Sequence, residues 1–350
     1  MSNTLDHKCP NCNAVLKFNP HGQNWECEYC KSKFNIEQLN SYESKNGKVL
    51  EKEAVNSPQN IDIYSCPNCG AQIIADPNTS ATSCVYCKNT TILKDKLQGE
   101  FNPSYVIPFR NTKEDAIDAF KKLGKGRILM PKAFNDKKNI NEMSGIYIPF
   151  WLYDYDADGV IEADCKRITT WRSGNYRYTK TDTYLATRGG TMSFEHIPVD
   201  GSKRFENDIM NSIEPFDYKD LKEFNYSYLS GFLSEKYDVT KDEAMNEAIE
   251  RAKNSFIDEM RKDIVGYNTV VTTKNSINLS NKNSYYVLLP VWMLNIKYNE
   301  KIYTFAMNGQ TGKIIGNIPI DKKKAVIIWI LTFITTFALI FLICYLRVRS

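Results

Sequence analysis

Eight of the ten cysteines fall into four C-x2-C pairs, and the pairs are laid out twice in the same way. CPNCNAVLKFNPHGQNWECEYC occupies residues 9–30 and CPNCGAQIIADPNTSATSCVYC residues 66–87; each reads C-x2-C, fourteen residues, C-x2-C. A C-x2-C pair on a tight turn aims two sulfurs at one point, and the intervening stretch lets a strand leave and return with the second pair. Four thiolates suit Zn2+, a d10 ion that accepts a tetrahedral cage of sulfurs at ~2.3 Å. The expectation is two zinc ribbons, one closed by Cys9, Cys12, Cys27 and Cys30 and one by Cys66, Cys69, Cys84 and Cys87. Four thiolates fill the shell, so both Zn2+ ions are structural, and binding worth ~10–16 kcal/mol becomes folding energy for units too small to have a core. Pro10 and Pro67 fix φ at the second knuckle position, and Gly70 gives a permissive backbone after the second knuckle. A redox dithiol is normally single and opens a helix; recurrence at matched spacing speaks for metal.

Net charge gives no polyanion surface. The formal charge is +4, yet residues 1–97 balance ten Lys/Arg against ten Asp/Glu and residues 98–320 thirty against thirty. The excess lies with Lys322, Lys323, Lys324, Arg347 and Arg349, which flank AVIIWILTFITTFALIFLICYL, residues 325–346. That run has no charge, Pro or Gly, and its ~33 Å as a helix spans a ~30 Å hydrocarbon core. It reads as a transmembrane helix, since a soluble helix would be apolar on one face only. The N-terminus has no apolar run of a signal peptide, so the chain reads as tail-anchored in the cell membrane. The flanking charges, and cysteines kept reduced for metal, place the bulk in the cytoplasm.

Residues 40–60 are polar, mixed in charge and without period, and read as a linker within 37–62. Beyond residue 98 the pattern is α+β and rich in antiparallel strands. Residues 112–124 and 240–266 each open on a capping box, Thr112 with Asp115 and Thr240 with Glu243. Ala244, Ala248, Ile249, Ala252, Phe256, Ile257, Met260 and Ile264 form a stripe that packs on a sheet. After each helix comes a Pro-x-Trp strand, Pro149 and Trp151 in the first and Pro290 and Trp292 in the second, then a polar turn and a returning strand. The middle region therefore reads as two helix-then-hairpin units, 103–165 and 238–318, with strands inserted at 166–202. The insertion interleaves Arg172, Tyr176, Arg177, Tyr178 and Arg188, a pattern that a half-exposed sheet also produces.

Two stretches imitate sites. Residues 154–165 carry Asp154, Asp156, Asp158 and Gly159 at calcium-loop spacing, but Cys165 stands where a bidentate Glu belongs, and a hairpin turn is the better reading. Residues 308–313 lack phosphate-loop spacing, and Asn308 and Gly309 read as the turn of the last hairpin. His7, His21 and His196 show no partner in the sequence and no catalytic constellation is visible; a hydrolase or transferase would need the fold to gather polar groups such as Asp154, Asp156, Glu162 or His196 into one cleft.

With the cysteine units, TWRSGNYRYT, LPVWML and TFAMNGQTGK in view, the chain resembles a family of membrane-bound zinc-ribbon proteins of Gram-positive bacteria. The likeness covers nearly the whole length. Members are described by a transcription-factor-IIB-type zinc ribbon, and some carry the label of the primosomal replication-restart helicase. The resemblance implies metal at the eight paired cysteines and nothing catalytic. The helicase label does not fit a chain with no Walker A motif. The expected function is a membrane-tethered, non-enzymatic adaptor whose ribbons contact protein partners. The alternative is a tethered nucleic-acid-binding module, in which Trp25, Tyr29 and Phe34 stack on bases. The second unit carries one charge, Asp76, between Cys66 and Cys87, which favours protein over phosphate as partner.

Overall fold

The computed structural model describes residues 4–5, 7–46, 62–66, 72–76, 78–84 and 90–349. In the N-terminal part, knuckles and turns keep the strands short: β1 (Thr4–Leu5), β2 (Leu16–Asn19), β3 (Asn24–Cys27), β4 (Lys33–Phe34), helix α1 (Ile36–Asn46), β5 (Asp62–Ser65), β6 (Gln72–Ala75), β7 (Thr79–Ser83) and β8 (Thr90–Leu93). The expected linker does not begin at residue 37. The Asn35 side chain accepts from the Gln38 N–H at 2.8 Å and the Gln38 side chain accepts from the Asn35 N–H at 2.9 Å, a reciprocal cap that starts α1. Leu39 then anchors the helix in the main core. Residues 47–61 of the linker lie outside the described residues.

The rest of the chain supplies β9 (Tyr105–Val106), α2 (Lys113–Gly124), α3 (Lys137–Asn141), β10 (Ser144–Ser173), β11 (Tyr176–Asp200), α4 (Asn207–Ser212), β12 (Lys222–Glu223), β13 (Leu233–Glu235), α5 (Lys241–Lys262), β14 (Thr269–Tyr298), β15 (Lys301–Asn308), β16 (Ile314–Gly316) and α6 (Lys322–Arg349). The fold is α+β, built on a large mixed sheet ordered β1-β8-β7-β13-β10-β14-β15-β16, with β11 also on β10 and β9 on β14. The boundary expected at residue 98 is crossed. Ala81 of β7 pairs with both Ser234 and Ile92, so β7 and β8 of the second cysteine unit are strands of the main sheet. Burial of Ser80, Ala81, Thr91 and Ile92 explains this, because such strands need a neighbour for every backbone group.

β10 and β14 run antiparallel with Ile148 opposite Leu289, and the two Pro-x-Trp runs sit beside this pair. On its outer edge β10 is flanked by β13 at Ile146 and Tyr147 and by β11 from Phe150 onward. β14 is flanked by β9 at Val287 and Leu288 and by β15 from Val291. Pro149 and Pro290 fall where one neighbour ends and the next begins, which is why a residue without an N–H is tolerated in a central strand. The indole of Trp151 donates to Val239 O at 2.9 Å and that of Trp292 to Asn111 O at 3.0 Å. Each acceptor is one residue before a helix N-cap, Thr240 or Thr112, and both expected capping boxes are closed. Gly201 N donates to Pro149 O at 2.9 Å and Gly309 N to Pro290 O at 2.8 Å. The Gly201 carbonyl accepts from Asp238 and Val239, the Gly309 carbonyl from Arg110 and Asn111.

The hairpin turn expected near Asp154–Gly159 is absent. β10 runs through it as a strand and turns only at Gly174, where φ is +58°. Asp156, Asp158, Glu162 and Asp164 alternate with buried Tyr155, Ala157, Ile161, Ala163 and Cys165, so these acids are the outward positions of one face-alternating strand, while Asp154 is buried. α5 lies on the inward face, and Phe256 packs with Ala157, Ile161, Ala163, Cys165 and Ala186 as the stripe requires. β14 stops pairing at Lys166↔Thr269, and the β10–β11 hairpin continues alone to its tip. The final hairpin does turn after Asn308, whose N–H donates to Lys313 O at 2.9 Å.

Asp200 and Asn308 hold matching corners. Asn308 Nδ2 donates to Ile213 O and Pro215 O, both at 3.1 Å. Asp200 accepts from Ser202 N at 3.0 Å, but its Oδ2 is buried with no hydrogen-bond partner among the described residues. Burial raises its pKa from 3.8 to about 7 against the Ser202 bond, helped by the nearby carboxylates of Asp238, Glu247 and Glu235. The folded chain thus holds this proton more tightly than the unfolded chain, and stability falls as pH rises between the two values. Urea unfolding of the wild type against Asp200→Asn should show the wild type losing up to ~4 kcal/mol of relative stability from about pH 4 to about pH 7 and nothing further above.

Candidate metal centre

The first cysteine unit is assembled by two knuckles of the same geometry. Asn13 N donates to Cys9 O at 2.8 Å and Lys31 N to Cys27 O at 2.9 Å. Asn13 and Lys31 take left-handed φ values of 62° and 60°, which closes each turn and brings its two sulfurs to one side. β2 and β3 carry the chain between the knuckles, with Leu16 opposite Cys27.

The sulfur atoms of Cys9, Cys12, Cys27 and Cys30 all lie within 4.8 Å of one another, with Cys9–Cys30 and Cys12–Cys27 at 3.5 Å. A tetrahedron of ~2.3 Å metal–sulfur bonds has edges of ~3.8 Å, so the donor set fits a four-thiolate metal site. The electrostatics agree. The Ser32 hydroxyl, then the Ser32 backbone, hold Cys30 down to about 6. Cys12 is pushed up to about 12, because a bond from Ala14 that lowers it is outweighed by burial and by Cys30, Cys27 and Cys9. Burial raises Cys9. Four thiols at this distance cannot all ionise against one another, and a divalent cation among them is the group that would let them.

In the second unit, Cys66 and Cys84 are buried with Tyr64, Ile73, Ala75 and Leu93. Cys69 and Cys87, with the knuckle residues Pro67 and Gly70, lie outside the described residues. Of the two cysteines not in pairs, Cys165 is buried beneath α5 and Cys344 is exposed on α6.

The first unit does not stand free. Trp25 is buried, its indole donating to Ser227 O at 2.7 Å, and its ring lies 5.1 Å from Phe18 and 5.3 Å from Tyr228. Phe18 N donates to Ser230 O at 3.1 Å and Gln23 Nε2 to Phe109 O at 2.8 Å. Trp25 is therefore not available to stack on bases, and Phe34 packs against the same core. Tyr29 is the exposed one of the three.

The histidines have partners that one-dimensional reading missed. His21 Nε2 lies 2.8 Å from Asp115 Oδ2, tying the first unit to the cap of α2. His196 meets Asp154 Oδ1 through both its N–H, at 2.8 Å, and Nδ1, at 3.0 Å. His7 is buried, with Nδ1 at 3.5 Å from Ser227 Oγ. Of the acids weighed for a cleft, Asp156 pairs with Lys282 and Glu162 with Lys274 on the strand surface, away from the Asp154–His196 pair. The partners are far apart in sequence: Asp115 lies in α2 and Ser227 in a turn, and only the pairing of β10 with β11 brings Asp154 to His196.

No family model and no solved structure matches the chain. The uncharacterized protein YdjG of Bacillus subtilis (strain 168) is 36% identical to it over 321 residues, 91% of this chain and 92% of that protein. The chain belongs to the YdjG family. For this member of the YdjG family the four-cysteine cluster and the apolar α6 are the features with chemical consequences.

Because the first unit has little core of its own, its metal should govern its order. A Cys12→Ser/Cys30→Ser chain should lose one equivalent of bound metal by elemental mass spectrometry. Its first 36 residues should become protease-sensitive, since binding worth ~10–16 kcal/mol is folding energy at such a site. Full metal content in that variant would contradict the assignment.

Proposed function

We propose that the chain is a membrane-tethered, non-enzymatic adaptor for protein partners. The observation that carries this reading is how α6 joins the body. Among the described residues it is the helix long and apolar enough to cross a membrane, and its side chains are exposed along its length. Asp321 N donates to Leu129 O at 2.8 Å and Lys324 Nζ to Met130 O at 2.6 Å, while Asp321 caps the helix through Lys323 N. An anchor tied this way sets the body at a fixed distance from the bilayer, with Lys322, Lys323 and Lys324 on the side taken here as cytoplasmic.

The metal at Cys9, Cys12, Cys27 and Cys30 is zinc on this reading, and Cys66, Cys69, Cys84 and Cys87 hold a second. Both units are zinc ribbons that brace the body rather than react. The matched placing of Trp151 with Trp292, Gly201 with Gly309 and β9 with β13 supports an internal duplication of the helix-and-hairpin unit. In it, each copy's helix is held by the other copy's hairpin. The same cysteines and apolar helix support the resemblance to the zinc-ribbon family of Gram-positive bacteria.

Proximity labelling from a ligase fused to the N-terminus of the full chain, in native membranes, should recover a reproducible set of protein partners. That set should be lost when residues 322–350 are replaced by a soluble tail. An unchanged or empty set would defeat the adaptor reading. Elemental analysis should return two zinc per chain, falling to one in a Cys66→Ser/Cys69→Ser variant.

A further inference from the structure

β11 leaves a long edge of the sheet open. It pairs with β10 from Asp200 to Tyr176, and no described strand lies on its other side. From Tyr176 to Phe194 the register runs without a bulge and no proline interrupts it. Exposed edges are ordinarily blunted by short length, bulges, proline or charged side chains, and of these only the charges are present here. Past Lys166 and its partner Thr183 there is no third strand among the described residues, so residues 167–182 form a two-stranded finger exposed on both faces. Such a hairpin is marginal by itself in water and gains from an added strand.

The finger is also cationic. It carries Arg167, Arg172, Arg177 and Lys180 against Asp182, within a domain whose charges balance as a whole. Arg172 and Arg177 face each other directly across the tip, and no carboxylate pairs with either among the described residues. Like charges in facing positions destabilise a strand pair, and an anionic neighbour relieves that cost.

Four anionic or strand-bearing occupants can be compared. Nucleic acid needs many free cations and open aromatic faces. Here Lys180 is held by Asp182 at 3.0 Å, Arg167 lies over the rings of Tyr184 and Tyr267, and Trp171 and Tyr178 stack on each other at 5.5 Å. The bilayer that α6 enters is at the wrong end. Phe134, beside the Leu129 and Met130 carbonyls that tie α6, packs on Tyr298 and Tyr303, whereas β10 extends its 30 residues, ~100 Å, toward the finger. A second copy of this chain would bring the same positive charge. An acidic peptide strand answers both the open edge and the charge.

We propose that the edge of β11 between Tyr176 and Arg188 accepts an extended acidic segment of a partner protein as an added β-strand. Main-chain bonds would give affinity, and Arg177, with Arg172 opposite it on the same face of the sheet, would select negative side chains there. This rests on the adaptor reading and names the surface that would serve it.

The test uses the full chain in uncharged detergent micelles. The probes are a short synthetic peptide alternating glutamate and valine, its lysine counterpart, the glutamate peptide N-methylated at alternate residues, and a short DNA duplex. The glutamate peptide should bind and slow amide hydrogen exchange over 176–188, while the lysine and N-methylated peptides should not. Arg177→Glu/Lys180→Glu should weaken the glutamate peptide by about tenfold or more. That variant places Glu opposite Arg172, so a lost fold is not the expected cause of lost binding. Equal binding of the N-methylated peptide, binding of duplex DNA alone, or no binding at all would each overturn the proposal. If proximity labelling still recovers the same partners from the Arg177→Glu/Lys180→Glu chain, the edge is not the contact and the adaptor reading stands.

Discussion

The structure depends on the antiparallel crossing of β10 and β14 at Ile148 and Leu289. A helix laid on a sheet needs its start fixed, because the first N–H groups are satisfied by a cap and the cap is only as rigid as the chain leading into it. Here that lead-in is held twice. An indole reaches it from the neighbouring strand, and a glycine carbonyl at the strand's far corner accepts its N–H groups. A hydrogen bond of this kind contributes only ~1 kcal/mol, but leaving a buried indole or carbonyl without one costs more. The corner therefore specifies where α2 and α5 sit rather than simply adding stability.

The cysteine unit extends this arrangement outward. Trp25 and Phe18 bury large rings against Tyr228, worth ~1.5–3 kcal/mol for each side chain of that size. His21 reaches the very carboxylate that caps α2. Metal at the four sulfurs would order β2 and β3, and through them the aromatic contact with residues 225–232. A four-cysteine cluster that looks like an independent head in the sequence is, in the fold, one side of the core.

What the sequence disclosed were the elements governed by local rules. Thr112 with Asp115 and Thr240 with Glu243 announce helix starts because a capping box is complete within four residues. The apolar run of α6 and the first four cysteines are legible for the same reason. The signals misread were those with two meanings. Asp154, Asp156 and Asp158 have the spacing of a cation loop, but Asp156 and Asp158 fit the outward face of an alternating strand as well, and only the burial of Tyr155 and Ala157 separates the two. The Asn35–Gln38 cap was legible too, but the polar composition after it concealed a helix whose reason for existing is one contact, Leu39, with a distant core. Trp25 looked like a free stacking platform because nothing local shows what lies 200 residues away in Tyr228.

The root of the arm shows how one strand can be both core and lever. β10 shifts register against β11 and β14 at the same place, around Asp154. The extra residues lie on its partners, Glu195 and His196 of β11 opposite Asp154 alone and Lys282 of β14 skipped between Asp154 and Tyr155, and such bulges bend the pair. Asp154 accepts both the backbone N–H and the ring of His196, itself in the left-handed region at φ +59°, and is buried while doing so. The bulged backbone of β11 is thus fixed by a carboxylate of β10. A joint closed in this way passes the orientation of the central crossing into the finger.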